Sequence, residues 1–487
     1  MGIFSDLQVD VNGEKIFFVD KKILATFSGR LSKIFAKMAG KTGQMKVIFH
    51  DFPGGAEGFE LITRFCYNYG NIDITPSNIF LLHCAAKFME IKKGGSQTPD
   101  LIEQTERYFD GIQCWTWSEL LLSLKQCQNF LKTLNPSSIL PKFLDLFVER
   151  LALLNVESPF TSSSENSNSS SSHSAKSYIS TSWWFEDLVF MNINLFQKVI
   201  NAMITQKFDH ATICSFLFFY QRSKFHGTSQ AKKRKIIGVV INLLFVLDRS
   251  AIPCRGLFDT FGMSLCLKVS KFYKNKLEVL VGSKLDRAKI DDLLVPSPHG
   301  KRYMYDVNLI LRLLKLFLAE NRFSPYRLKK VACLMDLYIA EVAPDRHLKP
   351  SKFVALATAL PDFARDSQDR IYLAIDAYLK VHGSLCQEEK MKVCSVLNHN
   401  MFSMEYLTDL SMNSQQYKLK SLIKSSKYAR TLSDSSICHT GQGSRMRMWM
   451  VNTSLFKPSN SIFRNKMRNL DHIMKCKRIV ELEENLW

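Results

Sequence analysis

No stretch of this sequence reaches the ~18–20 consecutive apolar residues that a bilayer-spanning helix needs. The nearest candidate, Ile236 to Leu247, is 12 residues long and contains Asn242, so it reads as a buried core helix. The opening residues, Met1-Gly2-Ile3-Phe4-Ser5-Asp6, have no basic start and no apolar core, so no secretory leader is expected. Asp6 stands where N-myristoylation favours Ser or Thr. Twelve cysteines are scattered through the chain and none forms a Cys-x-x-Cys pair. Without a leader, they read as free thiols in a reduced, intracellular protein, not as a disulfide scaffold. Acidic residues are also scarce, with 45 Asp+Glu against 65 Lys+Arg and a formal net charge of +20. That surplus is local. Residues 222–235 hold six basic and no acidic residues, residues 418–487 hold fourteen basic and five acidic ones, and the remainder is close to neutral. A nucleic-acid-binding domain usually spreads its charge over a folded face with a base-reading module. No such module is visible, and nucleic acid is not an expected partner.

Catalytic signatures are missing too. Gly40-Lys41-Thr42 resembles the end of a phosphate-binding loop, but Phe35 occupies the position of the required first glycine. Gly262-Met263-Ser264 runs on to Cys266 where a nucleophile elbow needs glycine. Cys438, His439, His472 and Cys476 match no zinc-finger spacing. Asp362, Asp366 and Asp369 would share one face of a helix starting after Pro361. They read as a solvated face favoured by the helix dipole. Asp291-Asp292 point in different directions on a helix and read as a cap or an interdomain contact. No catalytic, cofactor-binding or metal-binding residue is assigned, and the protein is expected not to be an enzyme.

What is present is a chain of 46% hydrophobic and 23% charged residues, long enough for about three domains. Leu7, Val9 and Val11 alternate, Asn12-Gly13 supplies a type I′ turn, and Ile16 and Phe18 alternate again. Ser28 can cap a helix with Leu31, Ile34, Phe35 and Met38 on one face. Lys46 to His50 reads as a third strand, broken by Phe52-Pro53-Gly54-Gly55. A second helix aligns Phe59, Ile62, Phe65, Cys66 and Tyr69, and Thr75-Pro76 provides an N-cap and first-turn proline for a third helix. Leu120, Leu121, Leu124 and Cys127 fit an amphipathic helix further on. Residues 161–182 carry serine runs and almost nothing apolar, too polar to offset the entropy of ordering. From 183 to about 410 the pattern is helix after helix, punctuated by single prolines. Lys232-Lys233-Arg234-Lys235 reads as a solvated loop before the buried helix, with a nuclear-import signal as the second reading, and Trp183-Trp184 reads as core.

The order hairpin, helix, strand, Gly-Gly turn, helix, short strand, helix is the pattern of a BTB/POZ domain. Asp51-Phe52-Pro53-Gly54-Gly55, Phe59-Glu60-Leu61, Phe65-Cys66-Tyr67 and Cys84-Ala85-Ala86 resemble that domain of the plant non-phototropic-hypocotyl (root phototropism-like) family. Trp183 to Leu188, Leu285 to Ala288 with Asp291 to Pro296, Ala340 to Asp345 with Leu348 to Phe353, and Leu360-Pro361-Asp362 with Tyr372 to Lys380 resemble the family's later signatures, in order. The resemblance fades after about Asn400. The fold class expected is an α+β BTB/POZ domain followed by an all-α domain. The layout expected is a BTB/POZ domain at 1–95, a helical bridge at 96–158, a Ser-rich disordered linker at 159–182, the family's helical domain at 183–417, and a basic tail at 418–487 with one amphipathic helix near 461–483.

The resemblance implies an adaptor. Its BTB domain would pair with itself or another BTB domain and dock on a cullin-3-type ubiquitin-ligase scaffold. Its helical domain would hold a client, such as a phototropin-like kinase in phototropic signalling. Phe52, Phe59, Glu60, Leu61, Phe65 and Tyr67 are the candidate partner-binding residues, with core packing as the alternative for Phe59 and Phe65. A second reading is a membrane-associated scaffold without a ligase role. In the tail, Phe463, Met467, Leu470 and Met474 fall at helical spacing among Arg464, Lys466 and Arg468. Such a helix can lie on an anionic leaflet; a short coiled coil or a disordered tail is the alternative. The expected location is cytoplasmic, with the plasma membrane periphery and the nucleus left open.

Overall fold

A computed structural model of the chain describes residues 6–38, 45–91, 100–134, 139–156, 183–298, 300–320, 324–398 and 401. The Ser-rich linker and the tail, with Phe463, Arg464, Lys466, Met467, Arg468, Leu470 and Met474, lie outside the described residues.

The N-terminal part is built on a three-stranded sheet. Strand β1 (Leu7–Val11) pairs antiparallel with β2 (Lys15–Val19) and parallel with β3 (Met45–Phe49), giving the order β2-β1-β3. Asn12 and Gly13 take φ of 56° and 70°, and Glu14 N donates to Val11 O at 2.9 Å, closing the expected hairpin turn. The alternation of β1 and β3 buries Leu7, Val9, Val11, Met45, Val47 and Phe49 on one side. Helices α1 (Lys21–Phe27), α2 (Gly29–Lys37), α3 (Gly55–Tyr67) and α4 (Ile79–Met89) supply the rest of that core. Ser28 caps α2 through Leu31 N, and its hydroxyl donates to Met89 O at 2.8 Å, tying the α1–α2 corner to the end of α4. The turn into α3 needs glycine at 54, where φ is 74° and a Cβ would collide with Leu81. Helix α4 starts at Ile79, three residues later than Thr75-Pro76 suggested. The reason is local: Asn78 Oδ1 accepts from Thr75 N at 2.9 Å, so residues 75–78 close a turn of their own.

Helix α4 belongs to two cores. Ala85, Ala86 and Met89 pack toward the sheet, whereas Ile79, Phe80 and Cys84 face the next helices in the chain. Those are α5 (Leu101–Tyr108), α6 (Trp117–Asn129), the single turn α7 (Leu131–Leu134) and α8 (Ile139–Val156). Phe80 meets Phe109 and Phe143 at 5.6 and 5.0 Å. The same core continues through α9 (Ile193–Thr205), α10 (His210–Phe225), α11 (Gln230–Val246), α12 (Cys254–Cys266), α13 (Lys271–Ser283), α14 (Ile290–Leu293), α15 (Val307–Leu318), α16 (Pro325–Val342), α17 (Pro350–Ala357), α18 (Asp369–Val381) and α19 (Gln387–Cys394). Trp117 Nε1 donates to Asp187 at 2.7 Å, and α8 packs on α9, so residues 100–156 are knit to the helices beyond 183.

Three expected local structures differ. Residues 71–75, where a short strand is expected between α3 and α4, form no strand, and the sheet keeps three strands. Helix α11 begins at Gln230, so Lys232, Lys233, Arg234 and Lys235 form its first turns and are not a loop. Lys and Arg are good helix formers, and that preference outweighs a modest dipole penalty. Asp362, Asp366 and Asp369 do not share a helix face. Asp362–Ala364 is one 3-10 turn, Arg365 is extended, and α18 opens only at Asp369. The Arg365 side chain turns inward to Asp336, and this breaks the helix after Pro361.

Candidate interaction surfaces

The six candidate partner-binding residues separate by burial. Phe52, Phe59 and Phe65 are core residues, at most 3% exposed. Phe59 packs against Phe17, Phe49 and Phe52 with ring centroids 4.9–6.3 Å apart, and Phe65 stands edge-on to Phe27 at 5.6 Å. Phe59 and Phe65 lie on the apolar stripe of α3, which turns them inward, and Phe52, in the turn before that helix, packs between Phe49 and Phe88 at 5.7 and 5.0 Å, so all three are corrected from surface to core. Tyr67 is half-buried and structural, its hydroxyl accepting from Asp20 N at 2.7 Å where β2 hands over to α1.

Glu60 and Leu61 remain on the outside. Glu60 is bridged by Arg64 at 2.7 Å and approached by Lys15 at 3.8 Å, while Leu61 is half-buried beside them. The body beyond residue 100 attaches through α4. Among the described residues, the outer strip of α3 therefore keeps Glu57 and Arg64 exposed and Glu60 and Leu61 partly so, and Tyr69 just beyond it is 85% exposed. A second surface was missed in the sequence. Ile16, Phe18 and Ile48 stand on the outer side of the sheet, with Ile16 and Ile48 flanking Asp10 across the strands. The signal was the run Lys15-Ile16-Phe17-Phe18-Val19, apolar on both sides of an edge strand.

The later signature residues act as struts. Trp184 is fully buried among Phe185, Phe208 and Phe216, at 4.6–6.4 Å, whereas Trp183 lies at the surface against Trp117. Asp292 accepts from Lys289 N at 2.8 Å and so caps α14. Asp286 pairs with Arg327 at 2.8 Å. Asp345 accepts from Met304 N and His347 N, at 2.8 and 2.9 Å. Tyr378 donates to Leu348 O at 2.7 Å and stacks on Phe353. Arg312 forks onto the buried Glu278 at 2.9 and 3.0 Å. Lys284 is buried, its Nζ donating to Ile252 O at 2.8 Å, and burial pulls its pKa down. Among the described residues no group of three or more His, Cys, Asp or Glu could hold a metal ion, and no helix is long and apolar enough to cross a membrane.

Among the described residues, a small sheet closed by short helices is joined to a long helical body and leaves apolar and charged side chains exposed. The NPH3 family profile matches residues 182–406. A BTB/POZ domain-containing protein of Arabidopsis thaliana is 43% identical over 429 residues, 86% of this chain and 83% of its own. Two others from the same plant are 30% and 31% identical over 456 residues each, covering 85% and 73% of their own lengths. The chain belongs to the NPH3 family of plant BTB/POZ proteins.

Proposed function

We propose that the protein is a non-catalytic, substrate-recruiting adaptor of a cullin-3-type E3 ubiquitin ligase in plant signalling, such as the phototropic response. The observation that carries this reading is the outward strip of α3, Glu57, Glu60, Leu61 and Arg64, left free because the helical body attaches through α4. The strip offers one half-buried leucine between charged groups, a small apolar centre with a polar rim. The outer side of the sheet, with Ile16, Phe18 and Ile48, suits a second BTB domain. The helical body holds the client, and the adaptor works by raising the client's effective concentration beside the ligase. A phototropin-like kinase fits the client role, and the working location is cytoplasmic.

Proximity labelling in plant cells tests the assignment of roles. The unaltered chain is compared with Leu61→Arg. The reading expects loss of cullin with retention of the client. Equal labelling of cullin by both chains contradicts it. The second reading, a scaffold at the plasma membrane, is favoured by the clustered charge of the tail, and sedimentation with anionic vesicles tests it.

A further inference from the structure

The chain's other concentration of positive charge lies on folded helices. Lys232, Lys233, Arg234 and Lys235 occupy the first turns of α11, and Lys271, Lys274 and Lys276 lie on α13. Three contacts at successive turns set these helices side by side and running the same way. Arg234 Nε donates to Leu267 O at 2.8 Å just before α13, Gly238 lies against the Tyr273 ring, and Lys276 Nζ donates to Asn242 Oδ1 at 3.0 Å. No exposed carboxylate answers this charge from either helix. Helix α11 has no acidic residue, and the single one on α13, Glu278, is 5% exposed and held by Arg312. On neighbouring α12, Asp259 is paired with Arg222.

Apolar side chains stand on the same pair of helices. Phe245, Val246 and Phe272 are 40%, 66% and 60% exposed. Lys276 lies over both rings, 5.2 Å from the centre of Phe245 and 4.7 Å from that of Phe272. A partner for this face must supply negative charge and must also take exposed apolar groups out of water. An acidic peptide answers the lysines but leaves Phe272 and Val246 wet. A single-stranded nucleic acid needs free ring faces to stack on, and Lys276 lies over these. An anionic bilayer meets both demands, with phosphates for the cations and the acyl boundary for the phenylalanines.

We propose that α11 and α13 form a docking face for anionic phospholipid membrane, separate from the basic tail and independent of the cullin reading. The test uses the full chain carrying Arg464→Ala, Lys466→Ala and Arg468→Ala, so that binding through those tail residues is removed. It is sedimented with phosphatidylcholine vesicles with and without phosphatidylserine. This parent should bind only the vesicles containing phosphatidylserine. Adding Lys232→Ala, Lys235→Ala and Lys271→Ala, all at exposed positions, should weaken binding about a hundredfold. Adding Phe272→Ser alone should weaken it severalfold, with the melting temperature of each variant unchanged. Unchanged binding after the triple lysine change, or equal binding to neutral vesicles, overturns the proposal. So does a parent that ignores vesicles but captures polyglutamate or RNA.

Discussion

His83 shows what burial does to a single residue. It sits on α4 with Nδ1 3.0 Å from Thr105 Oγ1 and is 1% exposed. Burial, reinforced by the charge of Lys87, pulls the imidazole from 6.5 down to about 4. Above the unfolded value neither state carries the proton, and stability is full. As pH falls from there toward the folded value, the unfolded chain takes up a proton that the folded chain refuses. Stability is lost across that window, by up to about 3 kcal/mol. Melting midpoints measured across the window should fall with pH, and fall less in His83→Gln. Asp336 and Arg365 make a second residue-scale case. They pair at 2.8 Å and both are nearly sealed from water. Burial raises the Asp336 pKa despite the adjacent guanidinium, so desolvation outweighs attraction. Arg365→Met alone should cost ~3–5 kcal/mol by leaving a buried carboxylate, and Asp336→Leu added to it should recover most of that. Urea unfolding of the single and double variants checks both.

At the scale of elements, α3 depends on a glycine inside its first turns. A Cβ at Gly58 would collide with the carbonyl of Pro53 and touch Leu81 at 3.0 Å. Gly58→Ala should therefore cost on the order of 2 kcal/mol, although alanine is the better helix former. Differential melting of the full chain measures it. Helix α4 makes a broader point. Its second face, with Ile79, Phe80 and Cys84, is buried only by the helices beyond residue 100. A fragment ending at residue 95 would expose that face, and we expect it to bind a hydrophobic dye and aggregate, while the full chain does neither. The elements also show what was legible beforehand. The hairpin, the Ser28 cap and the buried helix around Ile241 come from alternation, turn chemistry and spacing, which are local. The direction in which α3 turns its phenylalanines is not local. Phe59 and Leu61 are both apolar, and only packing against Phe17 and Phe49 buries the first fully and leaves the second half-buried. The helical start at Gln230 and the break at Arg365 were hidden for a related reason. A charge run reads as a loop, and an inward arginine depends on Asp336, 29 residues away.

Across the whole molecule, the sheet, the helices of 100–156 and the long helical body share apolar contacts through α4 and α8. Such an arrangement holds the two proposed working surfaces, the outer strip of α3 and the client-binding body, in one frame. The later family signatures serve that frame, since Trp184, Asp286, Asp345 and Tyr378 all brace helices. They explain the fold more than the partner. Cullin docking through α3 is therefore measured by calorimetric titration of the purified full chain with the N-terminal region of a plant cullin-3. The expected result is saturable binding that Leu61→Arg weakens by about 2 kcal/mol or more, with the melting temperature unchanged. No heat of binding from the unaltered chain, or the same affinity after Leu61→Arg, would contradict it.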